Sequence, residues 1–133
     1  MIFFDEKHKQ FYLSKQKECV NDVYTRALIY TLGMCETTRL RFDKIYDIKQ
    51  REINLDQLWQ PWQTGTSKKV TRLAFNLYTN TTPTAYSDTE DITEDNFNEC
   101  KKYSVSDIFC CEYAPYFVQA IKVRYPEYFT KNI

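Results

Sequence analysis

The sequence predicts an all-α protein: a compact bundle of about five to six short helices with one long polar loop, forming a single domain over residues 1–133. Three observations lead there. Apolar residues recur at three- and four-residue steps along several segments, the signature of a helix with one buried face. Only two glycines, Gly33 and Gly65, occur in 133 residues, too few for the positive-φ turns of all-β folds or for Rossmann and Walker loops. Aromatic residues make up 17% of the chain, more than a disordered segment or a simple coiled coil carries, and the length suffices for one buried core.

The first helix is expected at about 5–18, with Phe11 and Tyr12 on a narrow apolar face and Lys7, Lys9, Lys15 and Lys17 on the wet one. Asn21 or Asp22 then caps a second helix at about 22–35, where Val23, Tyr24, Ala27, Leu28, Thr31 and Cys35 share the inner face. A third, at about 38–47, places Leu40, Phe42, Ile45 and Tyr46 among Arg39, Arg41, Asp43 and Lys44, and pairs with the second as a hairpin around Glu36. Pro61 and Gly65 break the next stretch, leaving a short helical turn near 55–59 and an irregular link. Val70, Leu73, Ala74 and Leu77 then fall at i, i+3, i+4 and i+7 of a helix at about 67–79, with Lys68, Lys69, Arg72 and Asn76 outside. Residues 80–95, rich in Thr, Asp and Glu, read as a loop. Ser104 caps a further helix, and the last long one starts near Pro115 and stops at Pro126.

Eighteen Lys and Arg balance eighteen Asp and Glu, so net charge draws the chain neither to nucleic acid nor to an anionic membrane. The apolar start at Met1–Phe4 is cut off by Asp5, Glu6 and Lys7, too short for an anchor or a signal peptide. Five cysteines, without a C-x-x-C pair, read as reduced, buried thiols in a cytoplasm. No metal and no cofactor is expected. Asp43 and Asp47 lie one helical turn apart but read as solvated acids, and Cys100, Cys110 and Cys111 lack a closing set of ligands. The single histidine, His8, sits in a charged segment and reads as a solvated surface side chain rather than a catalytic base.

Two places are candidates for binding. In Trp62-Gln63-Thr64-Gly65-Thr66-Ser67-Lys68-Lys69, the glycine permits a tight turn and the hydroxyls and free amides of a helix start converge. A phosphate, a nucleotide or a carboxylate would sit beside Lys68, Lys69 or Arg72; the plainer reading is a capped helix with Trp62 packed back on it. The second is the aromatic C-terminal third, where Tyr113, Tyr116 and Tyr125 pack internally or offer a face to a partner or a second copy of the chain.

Three strings, Val23–Gly33, Trp62–Ser67 running into Arg72–Leu77, and Phe109–Pro115 through Tyr128, together resemble a small uncharacterised family, a domain of unknown function of Firmicutes and their phages and mobile elements. The resemblance implies a setting inside a Gram-positive cell and no catalytic residue. The expected function is that of a small non-enzymatic cytoplasmic interaction protein that binds a host protein and inhibits it, counter-defence against a CRISPR effector being the most concrete version. The alternatives are a nucleotide or anion module at Thr64–Arg72, and nucleic-acid binding through Arg39, Arg41, Lys44, Lys49 and Arg51, weakened by Asp43 and Asp47.

Overall fold

Polar side chains set half of the α-helix starts in the computed structural model, which describes residues 1–83 and 94–129. The Asp5 carboxylate accepts the His8 amide to open α1 (Glu6–Gln16), and Asp22 accepts the Thr25 amide to open α2 (Val23–Gly33). Two single-turn helices follow, α3 (Glu36–Arg39) and α4 (Phe42–Ile45), then a small antiparallel hairpin of β1 (Tyr46–Asp47) and β2 (Glu52–Ile53) and a 3-10 turn at Leu55–Trp59. Next come α5 (Gly65–Thr79), α6 (Glu94–Lys101), α7 (Val105–Ile108) and α8 (Ala114–Arg124), with a closing 3-10 turn at Pro126–Tyr128. The protein is thus mostly helical, all-α apart from one short hairpin.

The centre is α2, which packs against α1, α5 and α8. It is buried nearly all round from Ala27 to Cys35, as expected for the most apolar helix. Val70, Leu73, Ala74 and Leu77 of α5 all face inward against it. Phe117, Ala120 and Val123 of α8 complete the cluster, whose largest enclosed side chains are Tyr30, Tyr46, Phe42, Phe75 and Phe117.

Several expectations are corrected. The helix read at 38–47 is two turns and a strand. The Thr38 hydroxyl turns back onto the Leu32 carbonyl at 2.5 Å, Arg41 leaves helical geometry, and Tyr46 is extended. The hairpin then closes through Arg51 in the left-handed region at φ 57°, its carbonyl accepting the Tyr78 hydroxyl at 2.8 Å. Eight helices occur among the described residues, rather than five or six, because the 38–47 segment holds parts of two, α3 and α4, and α6 occupies a stretch with too few apolar residues to show a helical period. Of the loop read at 80–95, residues 84–93 lie outside the described residues. Arg72 does not take the outer side of α5 but is buried.

His8 is likewise not solvated; it is fully enclosed. Its Nδ1 accepts the Phe4 amide at 3.0 Å, so the ring proton sits on Nε2 and is donated to the Tyr30 carbonyl at 2.7 Å. Phe3 and Tyr30 pack on the imidazole, and Tyr12 packs against both of them. Burial pushes its pKa from 6.5 down to about 4, against the opposing pull of the Tyr30 carbonyl and Asp5. All five cysteines are free thiols, but only Cys35 is buried; Cys19 and Cys111 are half-buried, and Cys100 and Cys110 are exposed.

Candidate functional site

The start of α5 is built as a closed set of hydrogen bonds. Thr64 is extended, its hydroxyl accepts the Ser67 amide at 3.0 Å, and Ser67 Oγ accepts the Thr64 amide at 2.7 Å, a reciprocal capping box. Ser67 also donates to Gln63 Oε1 at 2.6 Å and is fully buried. Trp62 is half-buried against the core with the Arg41 guanidinium 4.9 Å from its ring, while Lys68 lies 5.5 Å from the ring of Trp59. Lys69 donates to the Asp107 carbonyl, and Thr66 is half-buried in the first turn.

Arg72 makes the strongest contact of this region. Its Nε and Nη2 donate to the two carboxylate oxygens of Glu99 at 2.7 and 2.9 Å, with both side chains nearly out of reach of water. The pair fastens α6 onto α5. The hydroxyls of Thr64 and Ser67 and the guanidinium of Arg72, chosen from the sequence to face an anion, are therefore engaged within the fold. Glu99 escaped the sequence reading because 27 residues separate it from Arg72; the available signal was an arginine flanked by the inward-facing Thr71 and Leu73.

Of the three tyrosines, Tyr113 and Tyr116 meet on Phe4 and Tyr125 stands apart. Tyr113 is buried beneath Phe4, with ring centroids 4.9 Å apart, and burial beside the Cys35 thiol pushes its phenol pKa up. Tyr116 is half-buried on the other edge of Phe4, at 5.4 Å. Tyr125 lies at the end of α8, where the Arg124 guanidinium stacks 4.4 Å from its ring and 3.7 Å from Tyr24. Arg124 Nε and Nη2 donate to the Leu77 carbonyl and Asn80 Oδ1 at 2.8 and 2.7 Å, so a cation closes the negative end of α5. Asn80 supplies the left-handed cap, at φ 60°.

Tyr113 and Phe4 lead to the feature the sequence did not reveal. Where the start of α1 meets α3, two adjoining concavities of about 430 and 350 Å³ open to the surface. Phe4, Met34 and Tyr113 supply apolar surface to the larger one, and Leu40, 71% exposed, lines the smaller. Glu6, Lys7, Glu36 and Arg39 line both, with Arg39 steadied on the Gly33 carbonyl at 2.9 Å. An apolar centre inside a rim of both charges is how a protein interface is organised. The only sequence signals were an isolated Leu40 between two arginines and the apolar run at the start of the chain.

The hairpin borders a third concavity, of about 540 Å³, lined by Asp43, Asp47, Glu52 and Asp56 with one cation, Lys44. Lys44, Lys49 and Arg51 are exposed, Lys44 and Lys49 both beside Asp43 and Asp47, whereas Arg39 and Arg41 are turned onto the Gly33 and Thr37 carbonyls. The basic run is not a patch of one sign. Among the described residues no cluster of three or more His, Cys, Asp or Glu is placed to hold a metal ion. No helix of the described residues is long and apolar enough to cross a membrane.

Fold and surface together define a small, mostly helical protein whose concavities are open and lined by side chains of mixed character. The chain belongs to a family of unknown function, DUF6075, whose model matches residues 1–133. No curated protein and no solved structure matches it.

Proposed function

We propose that this is a non-enzymatic interaction protein that binds a protein partner at the cleft between α1 and α3. The observation that carries the reading is the pair of adjoining concavities, one lined by Leu40, which is 71% exposed, the other by Phe4, Met34 and Tyr113, and both by Glu6, Lys7, Glu36 and Arg39. An apolar side chain of the partner would enter the cleft, and charged groups of either sign would be met at the rim. In its finer form the partner is a host macromolecule in the cytoplasm of a Gram-positive bacterium and binding inhibits it, as counter-defence against a CRISPR effector would. The resemblance to a family of phages and mobile elements of Firmicutes supports that form.

The test is affinity capture from the host cytoplasm with the native chain and with Leu40→Glu. A charge at the centre of an interface costs at least about tenfold in affinity, so the copurifying protein should be lost while thermal stability is retained. A partner held equally by L40E overturns the assignment to this cleft. A nucleotide that raises the melting temperature, with no protein captured, favours the start of α5 instead.

A further inference from the structure

A second exposed surface lies on α8 and the chain segments beside it. The N-terminal segment lies along α8, its Ile2 amide donating to Gln119 Oε1 at 3.2 Å, and the Lys122 ammonium stands 5.9 Å from the Phe129 ring. Between these fixed points α8 turns Val118 and Lys122 outward. Met1, Ile2, Val118, Tyr128 and Phe129 are 66, 51, 44, 77 and 49% exposed. All five expose apolar surface, the material from which the centre of an interface is built, with the charge of Lys122 available for its rim.

We infer that the outer face of α8 pairs with the same face of a second copy, antiparallel about a two-fold axis at Val118. The charges argue for this occupant. Lys122 is exposed in the last turn of α8, and Glu112 is exposed just before its first turn. An antiparallel pairing centred on Val118 sets Lys122, one turn to its C-terminal side, beside the start of the second α8 and within reach of Glu112 of that copy. The two-fold axis makes the contact twice. It also places the negative C-terminal end of each α8 against the positive N-terminal end of the other. A parallel pairing would oppose Lys122 to Lys122 and Glu112 to Glu112.

Sedimentation velocity over a dilution series up to about 200 μM tests this, a range in which a micromolar dimer is populated. The native chain should run as a species of twice its 16.0 kDa mass. Val118→Glu should be monomeric and, at concentrations where the native chain is monomeric too, should melt at the same temperature, since Val118 is exposed and glutamate suits a helix. Lys122→Glu alone should weaken the dimer at least about tenfold, and combination with Glu112→Lys should restore it. A native chain that stays monomeric, a dimer unaffected by V118E, or a charge swap that restores nothing each overturns the proposal. L40E should dimerise normally, which separates this test from that of the partner cleft.

Discussion

Acidification from pH 7 to pH 4 should remove about 3 kcal/mol of stability through one side chain, His8, because the folded state holds its imidazole in the neutral form. Protonating Nδ1 would set its new N–H against the Phe4 amide that now donates to it, inside an aromatic enclosure. The folded pKa lies near 4 and the unfolded one at 6.5. Between these values the unfolded chain binds the proton and the folded one does not, so stability is complete above 6.5 and declines as the pH falls towards 4. Each pH unit across that window is worth about 1.4 kcal/mol, which gives the total.

The assay is urea denaturation at half-unit pH steps for the native chain and for His8→Gln, whose amide nitrogen can still donate to the Tyr30 carbonyl. The variant should start about 1–2 kcal/mol less stable at pH 7, having lost the acceptor for the Phe4 amide. The difference should shrink and then reverse on acidification, leaving the native chain about 1–2 kcal/mol the less stable at pH 4, because only it carries the histidine contribution; carboxylates elsewhere affect both equally. As His8 is the only histidine, proton NMR reads its titration directly. A midpoint of 6.5 or above, or parallel pH profiles for the two proteins, would refute the reasoning.

Two further predictions follow from the packing. Arg72→Met leaves the Glu99 carboxylate buried with Lys102, 3.9 Å away and half-exposed, as its remaining cation, and should cost about 3–5 kcal/mol in chemical denaturation. The double variant R72M/E99L should recover most of that; no recovery would mean that the pair is not what joins α6 to α5. Gly33→Ala should destabilise by about 1–2 kcal/mol in the same assay: its methyl would lie 2.6 Å from Phe11 Cδ1 and 3.3 Å from His8 Cδ2, a clash that outweighs the gain of about 1 kcal/mol in helix propensity. A stabilised G33A would show that Phe11 yields freely.

Much of this fold was legible because local chemistry decided it. Asp22, Thr64 and Ser104 stand at helix starts and accept the amides their positions expose, and Pro115 and Pro126 bracket α8. The spacing of Val70, Leu73, Ala74 and Leu77 fixed the inward face of α5 without knowledge of what it faces. What escaped was decided by distant partners. His8 looks solvated among Asp5, Glu6, Lys7 and Lys9 until Tyr30, 22 residues away, supplies an acceptor. Arg72 looks like an outer residue until α6 brings Glu99. The binding candidates divide the same way: the start of α5 offered the sequence both an anion site and a capped helix, and the Thr64 and Ser67 hydroxyls are engaged in the cap, whereas the α1–α3 cleft needs Phe4, Leu40 and Tyr113 from three separate segments.

The enclosed polar groups share a task. His8 ties the N-terminal segment and α1 to α2, Arg72 and Glu99 tie α6 to α5, and Arg124 ties α8 to the end of α5. Each pins a peripheral element to the two central helices, and losing one member strands the other in a place water cannot reach. Leu40 and Val118, by contrast, belong to no such pin and are largely open to water. Stability and recognition therefore reside in different side chains: substitutions at the pins should unfold the molecule before they change its affinity, and substitutions at Leu40 or Val118 should abolish association in a protein that melts as before.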